Sequence, residues 1–340
     1  MNATNSDMEI MKNSYSRTIR LSVIGAVILL LAVVSGCGEK VVPTKDGRIP
    51  IVATTGMIAD AVKTIGGEYV RVVTLMGPGV DPHLYKATKG DVDEIAGARV
   101  IFFNGLHLEG KMGDVLGAAG VEGRGVAIGD AVPDSLLRHP AEFEGNPDPH
   151  VWFDLTIWSY AVDAIGKKLG EVDPKNRSHY DSLTAHYLDS LNVLHGWVTA
   201  TIGSIPDSSR ILVTAHDAFG YYGRRYGLEV RGLQGISTAT EAGLLDVTAM
   251  VDFLVSRKIK AVFVESSVSP KTIEAVIEGC TEKGHEIRIG GQLYSDAMGS
   301  PSDDEQITDS TLAAILRGND PSTYFGMVRH NTQVIAHALR

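Results

Sequence analysis

The chain has little cysteine, no surplus of positive charge and no apolar run long enough to cross a bilayer. Its 340 residues contain only Cys37 and Cys280, so a disulfide scaffold is excluded and stability must come from a core. Lys and Arg number 31 against 41 Asp and Glu, a formal net charge of −10. That balance argues against nucleic acid, whose binders need a basic face. No GxxxxGK[ST] loop, no strand-linked GxGxxG and no HExxH occurs, which removes the usual phosphate cradles and the commonest zinc-protease signature. What remains, 44% apolar and 21% charged residues, suits one large or two medium globular domains.

The apolar run is Leu21 to Gly36, 16 residues preceded by Lys12, Arg17 and Arg20. It is shorter than the roughly 20 residues of a spanning helix and has the form of a secretory signal. It ends in Val34-Ser35-Gly36-Cys37, which resembles a bacterial lipobox with Val where Leu is usual. Residues 1–36 are therefore expected to be a lipoprotein signal peptide, with Cys37 lipidated and 37–48 a tether. An uncleaved anchor helix is the alternative, and both place the protein on the extracytoplasmic side of a membrane in the cell envelope. Removing 1–36 takes away three basic and two acidic groups and leaves −11. Cys280, in an expected helix at 271–283, reads as a small buried apolar residue rather than a ligand.

Beyond the tether the pattern is α/β. Short branched runs at 51–54, 70–75 and 100–103, with a weaker one at 125–128, alternate with helical spacing, and this order implies a parallel sheet with helices on its faces. Asp154 is placed to cap a helix over 155–169. Asp173 and Pro174 then open a long one, in which Leu183, Tyr187, Leu191, Leu194, Val198 and Ile202 form a single apolar stripe ended by Pro206. After it the strand pattern restarts at 211–214, 229–232, 261–264 and 286–289. The expected organisation is a first lobe at 49–172, a linking helix at 173–205 and a second lobe at 206–340.

His216 follows the strand Ile211-Leu212-Val213-Thr214, where open α/β sheets place their ligands. His83 in Asp81-Pro82-His83 and His150 in Asp148-Pro149-His150 occupy similar settings, and Asp296 follows Leu293-Tyr294-Ser295. These four are separated by 67, 66 and 80 residues, so any site they form is assembled by tertiary folding, two groups from each half of the chain. Three imidazoles and one carboxylate suit a divalent transition ion. Asp81, Asp148 and Asp217 are candidates to orient the rings. His107 is read as a packing residue between lobes, and His179, His186 and His195 as surface positions on the long helix.

The segments GPGVDPHLYKATKGDVDEI, IFFNGLHLEGKMGDV, PDPHVWFDLTIW, VTAHDAFGYYGRRYGLEVRGLQGIST and GGQLYSDAMG run from Gly77 to Gly299. In them the chain resembles the TroA-like zinc- and manganese-binding lipoproteins of ABC transporters. The resemblance implies two (β/α) lobes with parallel sheets, joined by one long rigid backbone helix, with the metal in the interlobe cleft on His83, His150, His216 and Asp296. It also implies delivery to a permease and its ATPase, without enzymatic activity. Manganese-dedicated relatives carry Glu at the third ligand, which is His216 here, and this favours zinc over manganese, with iron behind. The His-rich loop of many zinc-dedicated relatives is missing, which keeps manganese open. A monomer held to the membrane through Cys37 is expected.

Two other functions compete. A secreted zinc hydrolase needs three protein ligands and an open position, whereas four ligands are available here. A lipid-anchored adhesin has no motif of its own. If three His bind the ion, affinity should fall as pH drops below about 6.5.

Overall fold

A computed structural model describes residues 46–301 and 318–340. The expected signal peptide, Cys37 and the tether up to residue 45 lie outside the described residues. The first lobe is built on four parallel strands, β1 Ile49–Ala53, β2 Val70–Thr74, β3 Val100–Phe103 and β4 Gly125–Ala127, in the order β2-β1-β3-β4. Ile51 pairs with both Val72 and Val100. As one of two inner strands, β1 is covered on both faces, and Ile51, Val52 and Ala53 are all buried, which is why it reads as a continuous apolar run.

Helices α1 Gly56–Gly66, α2 Lys89–Gly97 and α3 Gly113–Val121 connect these strands. At the start of α2, Thr88 Oγ1 accepts the Asp91 N–H while the Asp91 carboxylate accepts the Thr88 N–H, a reciprocal cap that satisfies two otherwise unpaired donors. The sequence pattern did not lead to α3. Gly113, Gly117 and Gly120 dilute its helical signal, yet Leu116 and Ala119 are buried and hold it to the lobe.

α4 Leu155–Val172 starts where expected, with the Asp154 carboxylate accepting the Thr156 N–H at 3.0 Å. The long helix α5 is Arg177–Gly203, 27 residues or about 40 Å. Pro174–Asn176 forms a 3-10 turn ahead of it. Asp173 does not cap the backbone there; it accepts from Asn176 Nδ2 and the Tyr180 hydroxyl. The buried stripe of α5 is Tyr180, Thr184, Tyr187, Leu191, Leu194, Val198 and Ile202. Leu183 is only half-buried, because the helix turns Tyr180 and Thr184 into the face that apolarity alone assigned to Leu183.

The second lobe has two parallel pairs, β5 Ile211–His216 with β6 Glu229–Gln234, and β7 Ala261–Glu265 with β8 Arg288–Leu293. Among the described residues its helices are α6 Gly220–Tyr226, α7 Leu244–Arg257 and α8 Lys271–Glu282, followed by α9 Tyr324–Leu339. β8 runs past the expected 286–289 through Gly290 and Gly291. Those glycines look like a turn but mark close approach: a Cβ on Gly290 would stand 2.8 Å from the Phe263 ring, and one on Gly291 2.5 Å from Val334. Cys280 is buried with Leu254 and Val276 in a satellite core under α7 and α8. The main core is continuous across both lobes, from Ile51 and Trp158 through Tyr187 and Leu194 to Tyr222, Phe263 and Tyr324. The two α/β lobes are thus tied by the long helix and share one apolar core.

α4 and α5 meet at Gly166, where a Cβ would lie 2.1 Å from Thr184 Oγ1. Gly166→Ala improves helix propensity by up to about 1 kcal/mol but overpacks this contact, which costs about 1–3 kcal/mol. We expect a net loss of stability in urea unfolding, and a smaller loss when Thr184→Ala is added. Equal stability of Gly166→Ala and the parent would show that the helices part without cost.

Candidate metal centre

His216 is the last residue of β5, His150 precedes the 3-10 turn Val151–Phe153, His83 sits in the loop after β2, and Asp296 lies in the loop after β8. The fold brings all four together. One donor atom from each lies within 4.8 Å of the other three, and all four residues are buried. The imidazole centroids form a triangle with sides of 5.4, 5.5 and 6.2 Å. Asp296 faces all three Nε2 atoms, at 3.3 Å from His150, 3.2 Å from His216 and 3.7 Å from His83. Among the described residues, the three Nε2 atoms and both Asp296 oxygens are buried without a hydrogen-bond partner. Those contacts become hydrogen bonds only when an imidazole carries its proton on Nε2; otherwise lone pair faces lone pair. Buried polar atoms rarely lack partners, and a cation would supply what these five lack.

The rear of each ring is held differently. Asp148 Oδ1 lies 2.7 Å from His150 Nδ1 and also accepts the His150 N–H at 3.0 Å. Arg138 Nη1 grips the other Asp148 oxygen. His216 Nδ1 stands 2.5 Å from Glu265 Oε2, while Glu265 Oε1 accepts the His216 N–H at 2.8 Å. Asp81 does not reach the His83 ring: Oδ1 accepts the His83 N–H at 2.8 Å and Oδ2 accepts the Thr238 hydroxyl at 2.6 Å.

Of the expected orienting acids, Asp148 stands as drawn. Asp81 positions His83 backbone instead, and the place given to Asp217 belongs to Glu265. Glu265 is separated from His216 by 49 residues, and its signal was an acid closing a strand of the same lobe. His107 is exposed, with φ 67°, and takes part in neither the site nor lobe packing; Leu108 beside it is the buried residue. Of the three helix histidines only His186 is exposed. His179 packs edge-on against Tyr69, and His195 Nδ1 lies 3.1 Å from the Tyr226 hydroxyl, because both lie beside the buried stripe of α5.

Burial pushes His83 down to about 3, outweighing the attraction of Asp296. Burial also disfavours charge on His150, but Asp148 and Asp296 outweigh it and hold the ring up at about 9. Burial opposes a charged His216 too, and Glu265 and Asp296 overcome it, raising that ring well above its usual value. For Asp296 burial favours the neutral acid, yet His216 and His150 hold it well below the carboxylate range. At neutral pH without metal, His83 therefore presents an unprotonated ring while His150 and His216 hold extra protons shared with acids.

A family model described as ZnuA, zinc-uptake complex component A, periplasmic, matches residues 51–338. The chain belongs to this family. The manganese-binding lipoprotein MntA of Bacillus subtilis is 45% identical over 323 residues, covering 95% of this chain and all of that protein. The zinc-binding protein TroA of Treponema pallidum is 44% identical over 296 residues, covering 86% of this chain and 90% of that protein. The solved structure of periplasmic TroA superimposes with a TM-score of 0.79 at 43% identity, over 86% of this chain and 99% of that one. Family members are metal-binding components of ABC uptake systems rather than enzymes. Neither the hydrolase nor the adhesin reading draws support from these relatives.

Two expectations follow. A metal must displace the protons of His150 and His216, so affinity falls as pH falls from about 9, by up to roughly a hundredfold per pH unit where two protons are lost. This onset lies above the 6.5 of an unperturbed His. Chelator competition at pH 6, 7 and 8 reads it, and a flat profile would remove both rings from the site. Glu265→Gln keeps the size of the side chain and loses the charge behind His216; affinity should fall about 10–100-fold, the usual effect of removing an orienting acid. Unchanged affinity would reduce Glu265 to a packing residue.

Proposed function

We propose that this protein captures one divalent transition-metal ion on His83, His150, His216 and Asp296, outside the cytoplasm, and hands it to the permease and ATPase of an ABC importer. The observation that carries this reading is the set of four buried donors converging within 4.8 Å, whose inward-facing nitrogen and oxygen atoms have no other partner. The ion is cargo, so the chain's task is to bind and release it. His83, neutral at physiological pH, offers the first lone pair. His150 and His216 then give up their Nε2 protons while Asp148 and Glu265 hold their rears, and the Asp296 charge is taken over by the ion.

Zinc is favoured over manganese, with iron behind. The support is the chemistry of the donors: three imidazoles and one carboxylate fill a tetrahedral zinc, whereas manganese prefers more oxygen. Relatives named for manganese and for zinc are almost equally similar to this chain, so similarity does not rank the two metals. We further propose that Cys37 carries the lipid anchor, that the protein works as a monomer, and that its divisions are a signal at 1–36, a tether at 37–48, lobes at 49–172 and 206–340, and a linking helix at 173–205. Lipoprotein relatives support the anchor. Among the described residues, no helix is long and apolar enough to cross a membrane.

Metal content of the soluble form, residues 38–340, stripped and then offered equal zinc, manganese and iron, tests this reading. One equivalent of zinc is expected, lost in His216→Ala. One equivalent of manganese would keep the function and overturn the preference, and the absence of stoichiometric metal would overturn the site.

A further inference from the structure

The loop after β6 faces two ways. Inward, Thr238 is buried and donates its hydroxyl to Asp81 Oδ2, while the other oxygen of Asp81 fixes the His83 backbone. Outward, the loop and the end of β6, residues 233–237 and 240–242, form one wall of a groove of about 430 Å³, whose other wall comes from Glu142, Phe143, Glu144 and Asn146 of the first lobe. Among the described residues, four carboxylates line this groove, Glu142, Glu144, Glu241 and Asp246, and no Lys or Arg does. Gln234 also lines it; the residue is 8% exposed, and its Oε1 has no hydrogen-bond partner among the described residues.

Beside the groove, between lining residues Ala242 and Asp246, Leu244 and Leu245 are 82% and 83% exposed, more than any other large apolar side chain among the described residues. α7 is anchored to the second lobe by Met250, Val251 and Leu254, so its folding does not call for this pair. Adjacent leucines left in water beside a groove of one charge sign are the makings of a contact surface.

Resting on the function proposed above, we propose that this rim is where the importer docks. The partner surface it fits is protein, presenting cationic side chains to the groove and an apolar side chain to Leu244 and Leu245. The charge of the groove repels an anionic lipid surface. Because its walls come from both lobes, a docked body touches both. Through Thr238 and Asp81 it also reaches His83, the imidazole that stands farthest from Asp296.

Two variants of the full-length chain separate this surface from the metal site, L244S/L245S and E142K/E144K. The readouts are metal content of the purified protein and uptake of radiolabelled zinc and manganese by cells in which this chain is the sole binding protein for its importer. Each variant should hold metal as the parent does while uptake falls at least about tenfold, the effect of losing an interface hot spot. Uptake within twofold of the parent in both variants overturns the proposal. So does a parent dimer in sedimentation that L244S/L245S dissociates without loss of uptake, which would make the rim a self-interface. If one variant loses its metal, the other decides, since they share no residue. A parent that binds no metal overturns the underlying reading and the proposal with it, and this is seen before any variant is compared.

Discussion

A carboxylate and three imidazoles held out of water around one point are costly to bring together, and the arrangement of both lobes follows from meeting that cost. A buried ion is tolerated only where partners replace its hydration. Asp296 meets this condition in the metal-free protein through the protons of His150 and His216, and a bound cation would meet it in their place. The acids behind the rings, Asp148 and Glu265, hold each imidazole with its Nε2 turned inward. Burial keeps His83 neutral, since no acid among the described residues stands behind its ring to offset the lost hydration. The site is therefore asymmetric: two rings would have to exchange protons for a metal, and one would be ready without exchange.

Parallel strands put their carboxyl ends at a common crevice, and here two lobes turn such crevices towards each other. β5 and β7 end in His216 and Glu265, adjacent in space though far apart in sequence. Trp152, two residues after His150, sends its indole N–H across the lobes to the Ser295 carbonyl at 3.1 Å, next to Asp296. The Tyr324 hydroxyl donates to the Trp152 carbonyl at 2.7 Å, so α9 also braces the site. A core that runs unbroken through both lobes resists lobe separation better than a linker alone, and this suits a site whose candidate ligands come two from each half.

Much of this was legible in the chain. The alternation of short branched runs with helical spacing carried the α/β class, the apolar stripe carried the long helix, and Asp154 carried a cap. The four candidate ligands stood out because each ends or follows a strand or a Pro-containing turn. Less legible were α3, whose glycines hide it, β8, where two close-approach glycines imitate a turn, and α9, which sequence reading passed over. His179 and His195 were misplaced because a polar residue beside an apolar stripe can still be packed against by a neighbouring ring.

By itself the sequence determined which residues can ligate, which of the strongly patterned runs become strands and helices, and that no disulfide framework or phosphate loop takes part. Those are properties of residue type and local spacing, set by sterics, helix periodicity and donor chemistry. Tertiary structure alone decided that His83, His150, His216 and Asp296 converge, that Glu265 rather than Asp217 stands behind His216, and that His150 and His216 hold their protons while His83 does not. Each of these depends on distances between residues tens to hundreds of positions apart, and on the burial that makes a charge at those distances felt.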